Sequence, residues 1–345
     1  MSRTRRPLAV ATVLAALAAG ALAAPGPAAG DSAAAARRAP YGFAVIGDLP
    51  YGAAEEARFP GFVDTLNAAP GVSLVAHLGD VKSGSTTCDD ARLGAVRTQF
   101  DRLRDPLVYT PGDNEWADCH RPAAGSYQPL ERLDAVRALF FPRPGRTLGG
   151  PLRVTSQQDR GFPENVRWVR ADVSFATLHV IGSNNDLVPW TGIGETTPTT
   201  AQVQEQWRRM DAAVANVRAA FAEARRHDRR AVVLMQQADM FDPTVTDPQP
   251  AAYSAFRPLV QTILDEARRF RGPVYLFDGD SHVYRQDRPL ARGSRWLDFY
   301  QVSGSADRLR RTTVDGEERG TSTYLQVTVQ PRGREVLRTR RVPVS

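Results

Sequence analysis

Short apolar runs recur along the chain, and most end in glycine and a polar residue. FAVI at 43–46, SLVAHL at 73–78 and PLVYT at 106–110 read as strands buried on both faces. Between them, Phe59, Phe62, Val63 and Leu66 share one face of a predicted helix over 53–68. Leu93, Val96, Phe100 and Leu103 do the same over 90–104. This β-α-β-α-β order predicts a parallel sheet with right-handed crossovers. The pattern breaks over 117–165, which is rich in Pro, Gly and Arg and holds one helical piece near 130–140. VRWVRA at 166–171 and SFATLHVI at 174–181 predict an antiparallel pair turning at Asp172. A long amphipathic helix follows over 202–227, then a strand at 232–235, a helix at 253–270 and a strand at 273–277. The tail carries β-like runs at 297–302, 323–329 and 335–342. No repeat and no second linker interrupts residues 41–345, so one domain of two packed mixed sheets covered by helices is expected.

Four of these runs end in candidate chemistry. The segments are Gly47-Asp48, Gly79-Asp80, Gly112-Asp113-Asn114-Glu115 and Gly279-Asp280-Ser281-His282. A single Gly-Asp pair is an ordinary turn, favoured for backbone reasons alone. Four in series, each after an apolar strand, place acidic and amide oxygens where open α/β sheets build their sites. Hard oxygen donors of that kind select divalent metal ions over apolar ligands.

Charge and cysteine usage narrow the setting. Arg3, Arg5 and Arg6, an Ala-rich apolar stretch and Ala21-Leu22-Ala23 predict a cleaved signal peptide over 1–23. Ala/Pro-rich residues 24–40 predict a disordered spacer. A secreted or cell-envelope protein without a stable membrane anchor is expected, exported by the Sec route or, given Arg5-Arg6, the twin-arginine route. Residues 1–38 hold five Arg and one Asp of the chain's 44 basic and 38 acidic residues, leaving 39 and 37. That near-neutral remainder gives no basis for nucleic-acid binding. Lys82 is the only lysine. Cys88 and Cys119, the only two cysteines, predict a disulfide tying the loops after Asp80 and Asp113; free thiols are the alternative.

The order of these motifs resembles that of the calcineurin-like metallophosphoesterase superfamily: D-x-H, then G-D, then G-N-H-[DE], then a His after an apolar strand, then G-H-x-H. The corresponding positions are Asp48-Leu49-Pro50, Gly79-Asp80, Gly112-Asp113-Asn114-Glu115, Gln236 after VVLM, and Gly279-Asp280-Ser281-His282. The strings GDLPY, GDVKSG, PGDNEWADCHR, GSNN and GDSHVY suggest a divergent bacterial branch. The resemblance implies an α/β fold, a four-layer αββα sandwich of two mixed β-sheets flanked by helices. It also implies two divalent metal ions, drawn from Mn, Mg, Ca, Fe or Zn, and a small phosphorylated substrate. Asp80 would bridge the ions, Asp48 and His282 would hold the first, and Asp113, Gln236 and Asp280 the second. A shift of register would make Asn114 the ligand in place of Asp113, and Gln237 competes with Gln236. Pro50 stands at a His position and cannot ligate. Asn114 stands for the catalytic His.

The implied activity is hydrolysis of phosphate mono- or diesters by attack of a metal-activated hydroxide. An amide donates a hydrogen bond but supplies no proton near neutral pH. Glu115 and His120 are therefore the nearest substitute acids. Arg121 is either a phosphate-binding or a surface residue, and Asn184 belongs to a substrate loop or a plain turn. His77 reads as a core residue or one that backs a ligand, His179 and His227 as structural or exposed, and Trp116 as pocket wall or core. Because so many family His positions differ, the different-class alternative is a catalytically impaired metal-binding or ligand-binding protein on the same fold.

Overall fold

The computed structural model describes residues 41–316 and 322–344. The expected leader over 1–23 and spacer over 24–40 lie outside the described residues. Among the described residues no helix is long and apolar enough to cross a membrane.

The first half folds as the hydrophobic pattern predicts. Strands β1 (Tyr41–Ile46), β2 (Val75–His77) and β3 (Pro106–Tyr109) pair in parallel. Helices α1 (Gly52–Ala68) and α2 (Asp90–Phe100) make the crossovers, and Asp89 caps α2 by accepting the Arg92 amide at 2.7 Å. Helix α3 (Pro129–Phe140) packs beside them. The short strand β4 (Leu148–Gly149) closes one edge of this sheet.

The second sheet begins with β5 (Thr155–Gln157), β6 (Phe162–Arg170) and β7 (Val173–Thr177). The β6–β7 pair is antiparallel. Helix α4 (Thr200–Arg226) starts in a capping box between Thr199 and Gln202. Strand β8 (Ala231–Met235), helix α5 (Arg257–Arg269) and strand β9 (Val274–Asp278) follow, so that β7, β8 and β9 run parallel. Strands β10 (Arg285–Asp287) and β11 (Leu309–Thr313) extend this sheet. Strands β12 (Thr323–Val329) and β13 (Leu337–Pro343) return to the first sheet, pairing antiparallel with β1 and each other. The orders are β13-β12-β1-β2-β3-β4 and β10-β11-β9-β8-β7-β6-β5.

Side-chain alternation explains the layers. Phe43 and Val45 of β1 face inward with Phe175, Val233, Tyr275 and Val327, while Ala44 and Ile46 face α1 and α2. Val232, Leu234, Val274 and Leu276 face α4 and α5. Phe43 meets Phe175 across the sheets edge-on at 5.6 Å. The result is the four-layer αββα sandwich of two mixed sheets flanked by helices.

One expected strand is corrected. Residues 295–299 form a helical turn, not the start of a strand over 297–302. Ser294 caps it, and Trp296, Phe299 and Tyr300 cluster with Phe241 and Tyr253. Spacing of three and four residues, not two, is what this aromatic run obeys.

Candidate metal centre

The carboxyl ends of β1, β2, β3, β7, β8 and β9 open onto one rim, and the loops leaving them carry the polar residues. Several adopt the left-handed backbone region that non-glycine residues rarely occupy: Asp48 (φ 55°), Asp80 (φ 56°), Asp280 (φ 70°) and His282 (φ 58°). Ser183, Asn184, Asn185 and Asp186 do so in succession, with φ between 52° and 64°. Such conformations persist only where surrounding bonds impose them, and they concentrate at functional sites.

Asp80, Asp113 and Asp280 converge, each offering an oxygen within 4.8 Å of the others. Asp48 adjoins them: its Oδ1 accepts the Asp280 amide at 3.0 Å and lies 3.5 Å from His282 Nε2. Its Oδ2 is buried without a hydrogen-bond partner. Burial raises the Asp48 pKa to about 6, with His282 pulling it down. Burial, then the neighbouring carboxylates, lift Asp80 and Asp280 well above the usual range. Carboxylates this close cannot all ionise without a compensating cation. Two glycines make the approach possible. A Cβ on Gly112 would stand 2.0 Å from Asp80 Oδ1, and one on Gly182 would stand 2.6 Å from Asp113 Oδ2. The donor set, all oxygen plus one imidazole, fits a divalent cation.

The neighbouring residues fix these groups from behind. Glu115 is fully buried and accepts the Gly112 amide at 2.8 Å, the Tyr109 hydroxyl at 2.5 Å and the Asp80 amide. Asp239 accepts Ser281 Oγ at 2.8 Å and pairs with the buried Arg311, and its own amide donates to Asp280 Oδ2 at 3.3 Å. Ser183 Oγ donates to Asp113 Oδ2 at 2.9 Å and Asp118 Oδ1 at 3.0 Å. Burial, then Asp113, raises the Asp118 pKa to about 7. Lys82 is fully buried and its Nζ donates to Ser83 O at 3.0 Å. Burial lowers its pKa to about 8 against the pull of Glu115 and Asp80.

Several expected roles change. Gln236 turns its amide to Ala238 O at 2.8 Å, whereas Gln237 Nε2 meets both Asp80 Oδ2 and Asp113 Oδ1 at 3.2 Å. Gln237 Oε1 accepts the Gly182 amide at 2.7 Å, so its NH₂ end faces the carboxylates and donates. Alternation at the end of β8 turns Gln237, not Gln236, toward the carboxylates. Asn114 Nδ2 donates to Asp80 Oδ2 at 2.9 Å, while Asp113 stands in the carboxylate cluster. Glu115, expected as a substitute acid, is enclosed by three donor groups. His120 Nδ1 accepts the Gly192 amide at 3.1 Å, which ties its ring to the 191–193 turn. Asn184 holds Ser254 Oγ at 3.3 Å and the Ala255 amide at 3.0 Å. Arg121 pairs with Asp118 at 2.6 Å and remains half exposed.

His77 donates from Nε2 to Leu49 O at 3.1 Å and accepts the Gly79 amide at Nδ1, a satisfied core histidine. Trp116 is core: it is fully buried and donates to His179 Nε2 at 3.2 Å. Cys88 and Cys119 form the expected disulfide. Tyr51, Asp118 and Ser183 had no assigned role from sequence, although they lie inside the strings GDLPY, PGDNEWADCHR and GSNN.

No family model and no curated protein matches this chain. Solved structures do. The chain is similar to GAP50, the anchor in the inner membrane complex of Plasmodium, with a TM-score of 0.44 at 10% identity, over 89% of each chain. It is similar to TT1561 of Thermus thermophilus, with a TM-score of 0.41 at 11% identity, over 88% of this chain and 99% of that one. A third likeness is to the purple acid phosphatase PPD1 of yellow lupin seeds, with a TM-score of 0.44 at 10% identity. It covers 88% of this chain and 54% of that one.

Proposed function

We propose that the chain is an exported, metal-dependent phosphoesterase that transfers the phosphoryl group of a small phosphate mono- or diester to water. The observation that supports this reading is the convergence of Asp80, Asp113 and Asp280, with Asp48 and His282 beside them. In this reading Asp80, Asp48 and His282 would hold one divalent ion, and Asp80, Asp113 and Asp280 would hold a second. A bound divalent cation there neutralises phosphoryl charge and acidifies water. The chain's own groups bind and orient. Arg121 offers its guanidinium to the non-bridging oxygens, Asn114 offers its amide, and Ser183 keeps Asp113 aligned. The disulfide supports an oxidising, extracytoplasmic setting. The near-neutral mature charge supports a small substrate in preference to nucleic acid.

The test is release of nitrophenolate from 4-nitrophenyl phosphate and bis(4-nitrophenyl) phosphate with added manganese. Metal-dependent turnover that chelator and Asp80→Asn both abolish is expected. Bound metal with no turnover on either ester would replace this reading with a metal-binding protein that has lost catalysis. That second reading is favoured by a single observation: His282 is the only imidazole beside the carboxylates among the described residues.

A further inference from the structure

We propose that Tyr51 and Asn114 together dock the leaving oxygen of the ester, the Tyr51 hydroxyl being the donor that meets it, and that the site thereby favours esters of acidic alcohols. This rests on the phosphoesterase reading above.

The two substitute acids expected from sequence are occupied elsewhere, Glu115 by the Gly112 and Asp80 amides and the Tyr109 hydroxyl, His120 by the Gly192 amide. What stands beside the Asn114 amide is a phenol. Tyr51 Oη accepts Asn114 Nδ2 at 2.8 Å and donates to Asp80 Oδ2 at 3.0 Å. Asp80 Oδ2 therefore faces three donors: Tyr51 Oη, Asn114 Nδ2 at 2.9 Å and Gln237 Nε2 at 3.2 Å. One carboxylate oxygen has two lone pairs, so it is over-subscribed. Of the three hydrogens only the hydroxyl's rotates freely about its bond; the amide hydrogens are fixed in their planes. The Tyr51 hydrogen is thus the one released to an incoming oxygen.

The surroundings suit an ester there. Arg121 Nη1 and Asn114 Oδ1 crowd the same point, 2.7 and 2.8 Å from where a Cβ on Gly84 would lie, so the guanidinium borders the amide. The Tyr51 ring meets the His282 ring edge-on at 5.2 Å, which fixes the phenol's direction. A phenol ordinarily titrates at about 10, so near neutral pH it acts as a hydrogen-bond donor and does not give up its proton. In the step itself the water oxygen bonds to phosphorus and the ester P–O bond breaks with its electron pair on the leaving oxygen. The two water protons end one on the released alcohol and one on phosphate. A neutral donor stabilises a developing alkoxide less than a proton donor does. Phenols, phosphates and other weakly basic leaving groups follow as the preferred class.

The test compares wild type with Tyr51→Phe on phenyl phosphate and 2,4-dinitrophenyl phosphate, with manganese content and thermal stability measured on the same samples. The expected result is a ~10-fold loss on phenyl phosphate, less than ~3-fold on the dinitrophenyl ester, and unchanged manganese content. Equal losses on both esters, or manganese lost along with activity, would overturn the proposal and leave Tyr51 as a prop for Asp80. If wild type hydrolyses neither ester, the phosphoesterase reading fails, and affinity of the manganese-loaded protein for inorganic phosphate decides the docking pair. A ~5-fold weaker Kd in Tyr51→Phe sustains it. An unchanged Kd, or no phosphate binding to wild type, overturns it.

Discussion

Both carboxylate oxygens of Glu115 accept the backbone amide of Asp80, at 3.2 and 3.1 Å. This bond crosses from the loop after β3 to the loop after β2 and holds Asp80 in its left-handed conformation. Tyr109 and Gly112 complete the set of donors around the same carboxylate. Glu115 is therefore a tether for the residue at the centre of the candidate site.

Removing that tether leaves three buried donor groups without a partner. Glu115→Ala is expected to lower stability by about 3–5 kcal/mol, read from urea unfolding. Glu115→Gln keeps one acceptor oxygen and is expected to lose less. Neither variant is expected to change the relative rates on good and poor leaving groups, which separates a tether from an acid.

Gly182 carries a sharper test of the carboxylate cluster. Its missing side chain leaves the space in which Asp113 Oδ2 and both oxygens of Asp280 lie, 2.6 to 3.0 Å from a Cβ position. A methyl group there displaces both carboxylates at once. Gly182→Ala is expected to weaken manganese binding by ~10-fold or more in titration calorimetry, with the far-ultraviolet circular dichroism spectrum unchanged. Wild-type affinity in this variant would remove Asp113 and Asp280 from the metal site.

The disulfide closes a loop spanning 31 residues and ties the segment after Asp80 to the turn at Ala117–His120. On the chain-entropy argument it contributes about 3–4 kcal/mol. The Cys88→Ser, Cys119→Ser double variant is expected to unfold at correspondingly lower urea. Wild type in reducing agent is expected to follow it.

The carboxylates were legible in the sequence because strand ends are: Asp48, Asp80, Asp113 and Asp280 each follow a run that reads as a buried strand. Side-chain direction beyond a strand was not. Gln236 and Gln237 are adjacent, and only the alternation of β8, set by Val232 and Leu234 facing the helices, decides which enters the site. Tyr51 was hidden for a different reason. Its hydroxyl reaches Asp80 across 29 positions of sequence, a contact that no local spacing encodes. The strands β10 and β11 were missed because Arg285–Asp287 and Leu309–Thr313 are short and polar, and pair for the sake of the sheet edge and Arg311. The run at 297–302 misled because aromatics suit strands and helical turns alike.

Acid sensitivity follows from His179. Its ring is fully buried, with Nδ1 against Glu164 Oε1 at 2.8 Å and Nε2 accepting the Trp116 indole. Burial lowers its pKa from 6.5 to about 4, against the opposing pull of Glu164. The folded protein keeps the ring neutral where the unfolded chain, at 6.5, takes up a proton. Unfolding therefore binds a proton between pH 6.5 and 4, and the stability His179 contributes is whole above 6.5 and lost as pH falls through that window. At ~1.4 kcal/mol per pKa unit, the loss approaches about 3 kcal/mol by pH 4. Urea unfolding of wild type and His179→Gln at about pH 7.5 and about pH 4.5 checks this. Other groups contribute to the acid limb in both proteins, so the difference between the two pH dependences isolates the imidazole. A smaller drop in the variant is expected; equal drops would mean that the ring titrates in the folded protein as it does in the unfolded chain.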